Sequence, residues 1–130
     1  MMRIILYVAV TWIIAEILKT IIESYKAKKF SPRFFLAYGG MPSAHTTFVV
    51  ALATSIFLVE EMSTAFLVSV GLAIVVVRDL IKVRDQIDKN TSAIAKIQKM
   101  KPVLLSHTYL EIFVGLLLGI LGPVLLSLFI

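Results

Sequence analysis

Residues 4–22 read IILYVAVTWIIAEILKTII, with Glu16 and Lys19 as the only charges. As a helix at ~1.5 Å per residue the stretch is about 28 Å long, close to the ~30 Å hydrocarbon core of a bilayer. The rest of the chain has the same character. Of 130 residues, 59% are apolar and 16% charged, against about 45–50% and about 25% in soluble domains. Mean hydropathy is +0.96. A soluble domain this small could not hide so much apolar surface. Soluble enzymes, disordered chains and disulfide-stapled secreted modules are thereby excluded. With no Cys, thiol nucleophiles and Cys-rich metal sites are excluded too. At ~20 residues per crossing the length allows four spans at most.

Outward from the first span, the pattern predicts an all-α polytopic membrane helix bundle of about four transmembrane helices. Residues 1–130 form one domain with spans at 4–22, 44–59, 65–80 and 108–129. Residues 26–42 are a basic, irregular connection containing Pro32, Gly39 and Gly40. With Phe34, Phe35, Leu36 and Tyr38, it suits an interfacial or re-entrant segment. The acidic residues Glu60 and Glu61, with Met62 and Ser63, form a tight turn. The third helix continues past the membrane over 81–100, where Leu80, Val83, Ile87, Ile94 and Ile97 keep an apolar stripe. Pro102 suits the first turn of the fourth helix. Gly115 and Gly119 offer a close-packing face, within the chain or between copies.

Basic residues set the expected orientation. Lys26, Lys28, Lys29 and Arg33 lie between spans 1 and 2. Arg78, Lys82, Arg84, Lys89, Lys96, Lys99 and Lys101 lie between spans 3 and 4. By the positive-inside rule these segments face the cytoplasm and both termini lie outside the plasma membrane. The net charge of +5 is explained by topology, and no nucleic-acid partner is expected.

The polar minority carries the chemistry. Glu16, Lys19, Glu23 and Lys26 share one helical face. They are either mutually neutralising pairs or a stripe leading to a site at the Lys26 end, and the second reading is favoured. His45 opens span 2 and His107 lies in the second turn of the fourth helix, both at the cytoplasmic end. Ser43 is an N-cap candidate, so the amides of Ala44, His45 and Thr46 offer an anion site. Glu111, at i,i+4 from His107, can hold one imidazole nitrogen and leave the other as a nucleophile or base. Lys26, Arg33 and Lys101 flank these groups and suit phosphate. Arg78 and Asp79, with Arg84 nearby, are either interfacial pairs or support for the phosphate-binding cations. No metal-ligand cluster and no cofactor are expected.

These residues resemble the motifs of the type 2 phosphatidic acid phosphatase superfamily, which includes vanadium haloperoxidases, and in particular its small divergent membrane branch. Lys26 and Arg33 have the spacing of the first motif, with Phe34 in place of Pro. Pro42-Ser43-Ala44-His45 matches Pro-Ser-Gly-His. Lys101, His107 and Glu111 match the third motif, with Lys for Arg and Glu for Asp. The resemblance implies a metal-free phosphatase. His107 would form a phosphohistidine, Glu111 would fix its tautomer and His45 would protonate the leaving group. Lys26, Arg33, Ser43 and Lys101 would hold the phosphate. The expected substrate is a lipid phosphate monoester: phosphatidylglycerophosphate, phosphatidic acid or a polyprenyl phosphate or diphosphate. Its relatives have about six spans, so a homo-oligomer is expected to supply the missing helices. The competing reading is a non-enzymatic membrane protein, either an anion or proton transporter or a structural bundle that binds anionic lipids.

Overall fold

Hydroxyl residues set where the helices start. In the computed structural model, which describes residues 1–35, 40–102 and 107–130, α1 spans Met2–Lys26 from the chain terminus. A 3₁₀ turn at Pro32–Phe34 follows. The next helix, α2, spans Ala44–Glu60 and starts where Ser43 Oγ accepts from the Thr46 amide. α3, Thr64–Arg78, starts where Ser63 Oγ accepts from the Phe66 amide. Each cap satisfies a first-turn N–H that has no partner within its helix.

No cap separates α3 from α4 (Arg84–Gln98), because the helix does not stop there. A π turn, Asp79–Val83, joins them, and Thr64–Gln98 is a continuous rod of 35 residues. At ~1.5 Å per residue it is about 50 Å long, well beyond the ~30 Å hydrocarbon core. The charged half, α4, is therefore the part that leaves the bilayer. It ends at Lys99, whose φ of 53° breaks the helix.

The last helix, α5, spans Tyr109–Phe129. Pro102 does not open it, contrary to expectation. Thr108 does, through a reciprocal cap: its hydroxyl accepts from the Glu111 amide, and the Glu111 carboxylate accepts from the Thr108 amide. His107 consequently precedes the helix, instead of lying in its second turn as expected. This is the Thr-x-x-Glu signature of a capping box.

The buried interior is small and hydroxyl-rich. Thr11, Ser43, Thr46, Thr47 and Ser55 are fully buried, while Ile13, Ile17, Leu67, Val68 and Leu72 are exposed. Such a distribution is inverted for water and normal for lipid, where small residues let helices approach and large apolar ones face the acyl chains. α1, the Thr64–Gln98 rod and α5 are each long and apolar enough to cross a membrane; α2, of 17 residues, is shorter. The molecule is an all-helical membrane bundle.

Short as it is, α2 is the centre, packing against α1, α3 and α5. The glycine face of α5 is used here, inside the chain. A Cβ on Gly115 would lie 2.7 Å from the Ser43 carbonyl oxygen, and one on Gly119 2.7 Å from Val50 Cβ. Thr47 Oγ1 sits 2.9 Å from the Ser43 carbonyl and 3.1 Å from that of Gly115, sharing its proton between them. The Ser43 amide donates to the Glu111 carbonyl at 3.1 Å. These bonds clamp the start of α2 to the start of α5, which brings the two histidines together.

Candidate active site

His45 and His107 face each other at that clamp, with ring centroids 5.9 Å apart and planes at 64°. His45 is the second residue of α2 and is half-buried. The side chain of His107 is 1% exposed. Its Nδ1 lies 3.1 Å from Glu111 Oε2. That carboxylate oxygen also accepts from the Thr108 amide at 3.2 Å. One acidic residue thus fixes the helix start and the imidazole tautomer together: Nδ1 carries the proton and Nε2 keeps its lone pair. Nε2 is buried and has no hydrogen-bond partner among the described residues. A buried nitrogen without a partner costs free energy, and such exceptions call for an explanation such as a catalytic role.

Burial holds the His107 imidazole below its ordinary range. The charge and hydrogen bond of Glu111 pull upward without overcoming it, and the charges of Arg84 and Lys19 push further down. At neutral pH His107 is therefore the uncharged, nucleophilic form.

Two cations stand close enough for their fields to reach both imidazoles: Arg84 and Lys19. Lys19 is buried and sits 2.6 Å from Glu16. Gly40, at φ +96°, lies directly over it. A Cβ there would meet Glu23 Cγ at 3.0 Å and Lys19 Cγ at 3.1 Å, so only glycine lets the loop pass this close to α1. Glu23 Oε1 accepts from the Met41 amide at 3.3 Å and pins the same loop.

Arg84 owes its position to the π turn. Its Nε donates to Asp79 Oδ2 at 3.1 Å, across five residues. An α-helix would set residues five apart about 140° round the axis. The i→i+5 register of a π turn brings them to one face.

The remaining sequence candidates lie as follows. Ser43 is fully buried and its hydroxyl is engaged by Thr46, at 3.3 Å to the amide and 3.0 Å to the hydroxyl. Of the three amides expected to be free there, the cap takes that of Thr46. Lys26 is exposed and pairs with Glu23 at 3.4 Å. Arg33 is exposed in the 3₁₀ turn, Lys101 is exposed beyond α4, and Arg78 is exposed at the end of α3. Of the two readings of the stripe on α1, the structure shows the first, and the charge of Lys19 also acts on the histidines. Glu16 pairs with Lys19 and Glu23 with Lys26, and of the two lysines Lys19 is the buried one. Leu36, Tyr38 and Gly39 of the connection, and residues 103–106 before His107, lie outside the described residues.

Sequence reasoning gave Lys19 no role of its own and Arg84 only a supporting one. A signal for Lys19 existed: the spacing of Lys, six residues, then a basic residue also runs from Lys19 to Lys26. No local signal marks the π turn, since Asp79-Leu80-Ile81-Lys82-Val83 reads as ordinary helix.

Similarity agrees with this architecture. The chain is 29% identical over 140 residues, covering 90% of it and 89% of the relative, to the uncharacterized membrane protein YuiD of Bacillus subtilis (strain 168). No solved structure matches it. Residues 2–122 match the model of the Divergent PAP2 family. That match covers almost the whole chain and every residue of the histidine site, and the protein is a phosphatase-related membrane protein belonging to the Divergent PAP2 family.

Proposed function

We propose that the chain hydrolyses a lipid phosphate monoester through a phosphohistidine on His107. The observation that carries this reading is the His107 imidazole itself. It is held through Nδ1 by Glu111, and its buried Nε2 lacks a partner among the described residues and lies beside a second histidine.

The steps follow from those positions. The Nε2 lone pair attacks phosphorus, and the bond from phosphorus to the lipid oxygen breaks. His45 donates a proton to the departing alkoxide, which leaves as the alcohol. The imidazolium formed at His107 is stabilised by the Glu111 carboxylate. Water then attacks the phosphohistidine, His45 takes its proton, and inorganic phosphate departs with His107 restored. Lys19 and Arg84 are the cations placed to stabilise charge on the phosphoryl oxygens, together with the first amides of α2. Lys26, Arg33 and Lys101 form an outer basic rim in this reading, with Ser43 shaping the cap and Arg78 and Asp79 supporting the approach to Arg84. The substrate class comes from setting: a polar site at one end of an apolar bundle suits an amphiphile. Phosphatidylglycerophosphate, phosphatidic acid and polyprenyl phosphates qualify.

The test is phosphate release by the purified protein in detergent from each of these lipids, without added metal. His107→Ala is expected to lower release at least ~1,000-fold, and vanadate is expected to compete with substrate. Release that survives the substitution would sink the assigned nucleophile. No release from any lipid would favour a transporter or a structural bundle.

The same proposal places the site on the cytoplasmic side of the plasma membrane with both termini outside. In cells carrying Glu61→Cys, a membrane-impermeant thiol reagent added outside is expected to label it. Protection would reverse the orientation. A second copy of the chain is proposed to complete the bundle; cross-linking in native membranes should yield dimers or larger species.

A further inference from the structure

α3 and α5 both lean on α2 and leave a gap between them. Two adjoining hollows of about 550 and 520 Å³ fill that gap, with Val50, Ala73 and Ile74 common to both walls. Phe57, Phe66 and Val124 line the hollow toward the far end of α2. Arg78, Lys82 and Tyr109 line the other. The gap is thus one apolar groove along α2, and among the described residues the only charged side chains lining it are the two cations at one end. That end is the histidine end. Tyr109 follows His107 and Thr108 at the start of α5, while Arg78 precedes and Lys82 lies within the π turn that delivers Arg84.

We propose that this groove seats the single hydrocarbon chain of a phosphorylated lipid, with Arg78 and Lys82 meeting the anionic head as it enters toward His107; this rests on the phosphatase reading above. Charge decides between the possible occupants. A neutral acyl chain of the bulk bilayer has no use for two cations at one end of its slot. A helix from a second copy, laid in the groove with its own basic level at that depth, would set like charges against Arg78 and Lys82. A chain bearing a phosphate satisfies both parts of the groove, with apolar burial along α2 and α5 and charge pairing at the mouth.

The experiment separates binding from turnover. His107→Ala protein in detergent is irradiated with a single-chain alkyl phosphate carrying a mid-chain diazirine, and the labelled peptides are mapped. Label is expected on the groove walls around Ala73–Ile74 and Val50. An alcohol of the same chain should label these sites at least ~10-fold less. The double variant Arg78→Gln, Lys82→Gln should bring the phosphate down toward the alcohol. Ala73→Trp, in the wild-type background, fills the shared wall. It should raise KM for the long-chain phosphate at least ~10-fold while hydrolysis of a short, water-soluble phosphate monoester stays within ~2-fold. Labelling that the alcohol matches, labelling spread evenly over α1 and α3, or equal losses on long and short substrates would each overturn the proposal. If the groove labels as expected but no variant or substrate shows turnover, the tail site stands and the phosphatase reading falls.

Discussion

Lys19 and Lys26 lie on the same face of the same helix, about two turns apart. Their surroundings have little in common. The Lys19 side chain is 3% exposed and its charge acts on the histidines, whereas that of Lys26 is 55% exposed and shares a loose contact with Glu23. The difference recurs on the third helix, where the charge of Arg84 acts on the imidazoles and Arg78, one turn and a half earlier, is exposed. Helical spacing assigns a residue to a face. It does not assign depth, and depth decides which cations lie beside the histidines.

The largest effect after loss of His107 itself is expected at Lys19. Lys19→Met removes a charge from a water-poor site, and kcat/KM should fall about 100-fold. It also breaks the buried Glu16–Lys19 pair, and breaking a buried pair typically costs about 3–5 kcal/mol. The double variant Glu16→Gln, Lys19→Met should recover thermal stability without recovering activity. That split, read by melting in detergent beside phosphate release, separates site from scaffold. Equal losses for Lys19→Met and Lys26→Met would erase the distinction between the two lysines.

Arg84 permits a geometric test. Deleting Val83 shortens the π turn by one residue and sets Asp79 and Arg84 at i,i+4, still on one face of an ordinary α-helix. Inserting an alanine after Val83 turns α4 a further ~100° and carries Arg84 away. Vanadate affinity should stay within about 3-fold in the deletion and drop at least about 30-fold in the insertion. A deletion as damaging as the insertion would show that the π turn matters for something other than where it points Arg84.

How much of this was readable beforehand follows the same line. The membrane bundle was plain, because large apolar residues outnumber anything a soluble core could bury. The histidine pair was readable from Pro42-Ser43 before α2 and from the spacing of His107 and Glu111, although the Thr108-x-x-Glu111 cap sets His107 just ahead of α5 and not within it. Pro102 misled as a helix opener because a reciprocal cap with two hydrogen bonds outcompetes a proline's preset φ. The inner cations were not singled out. Burial of Lys19 depends on the Gly40 loop folding over α1, and presentation of Arg84 depends on an extra residue in a helix whose sequence shows no break. Both are tertiary facts.

Protonation offers a finer probe of the inner set. His107 is held below the ordinary imidazole value of about 6.5 chiefly by burial. The nucleophile must be neutral, so the acid limb of kcat/KM should fall below pH 6.5. Glu111 is the influence that raises this group. Glu111→Gln should therefore move the limb to still lower pH, while cutting the rate about 10-fold through a looser tautomer. Stability carries the same sign. Below about pH 6.5 the unfolded chain binds a proton that native His107 refuses, so the fold weakens as pH drops through that value. A limb that moves upward in Glu111→Gln would mean that another group sets it.

The smallest effects belong to the outer rim. Lys26, Arg33 and Lys101 are exposed, and water and salt screen such charges over roughly 8–10 Å at moderate ionic strength. Single neutralisation of any of them should leave kcat unchanged within about 2-fold. Their charge can still draw an anionic lipid toward the mouth, and steering of this kind acts on encounter rather than on chemistry. Replacing all three should therefore lower kcat/KM in low salt and do little in high salt, with kcat flat in both. The inner cations give the opposite pattern, because the Lys19 side chain is closed off from the bath: loss at Lys19 should appear in kcat and should not depend on salt. Measured side by side, the two salt profiles assign each cation to guidance or to chemistry. A salt-independent drop in kcat from the rim would place those residues on the phosphate after all.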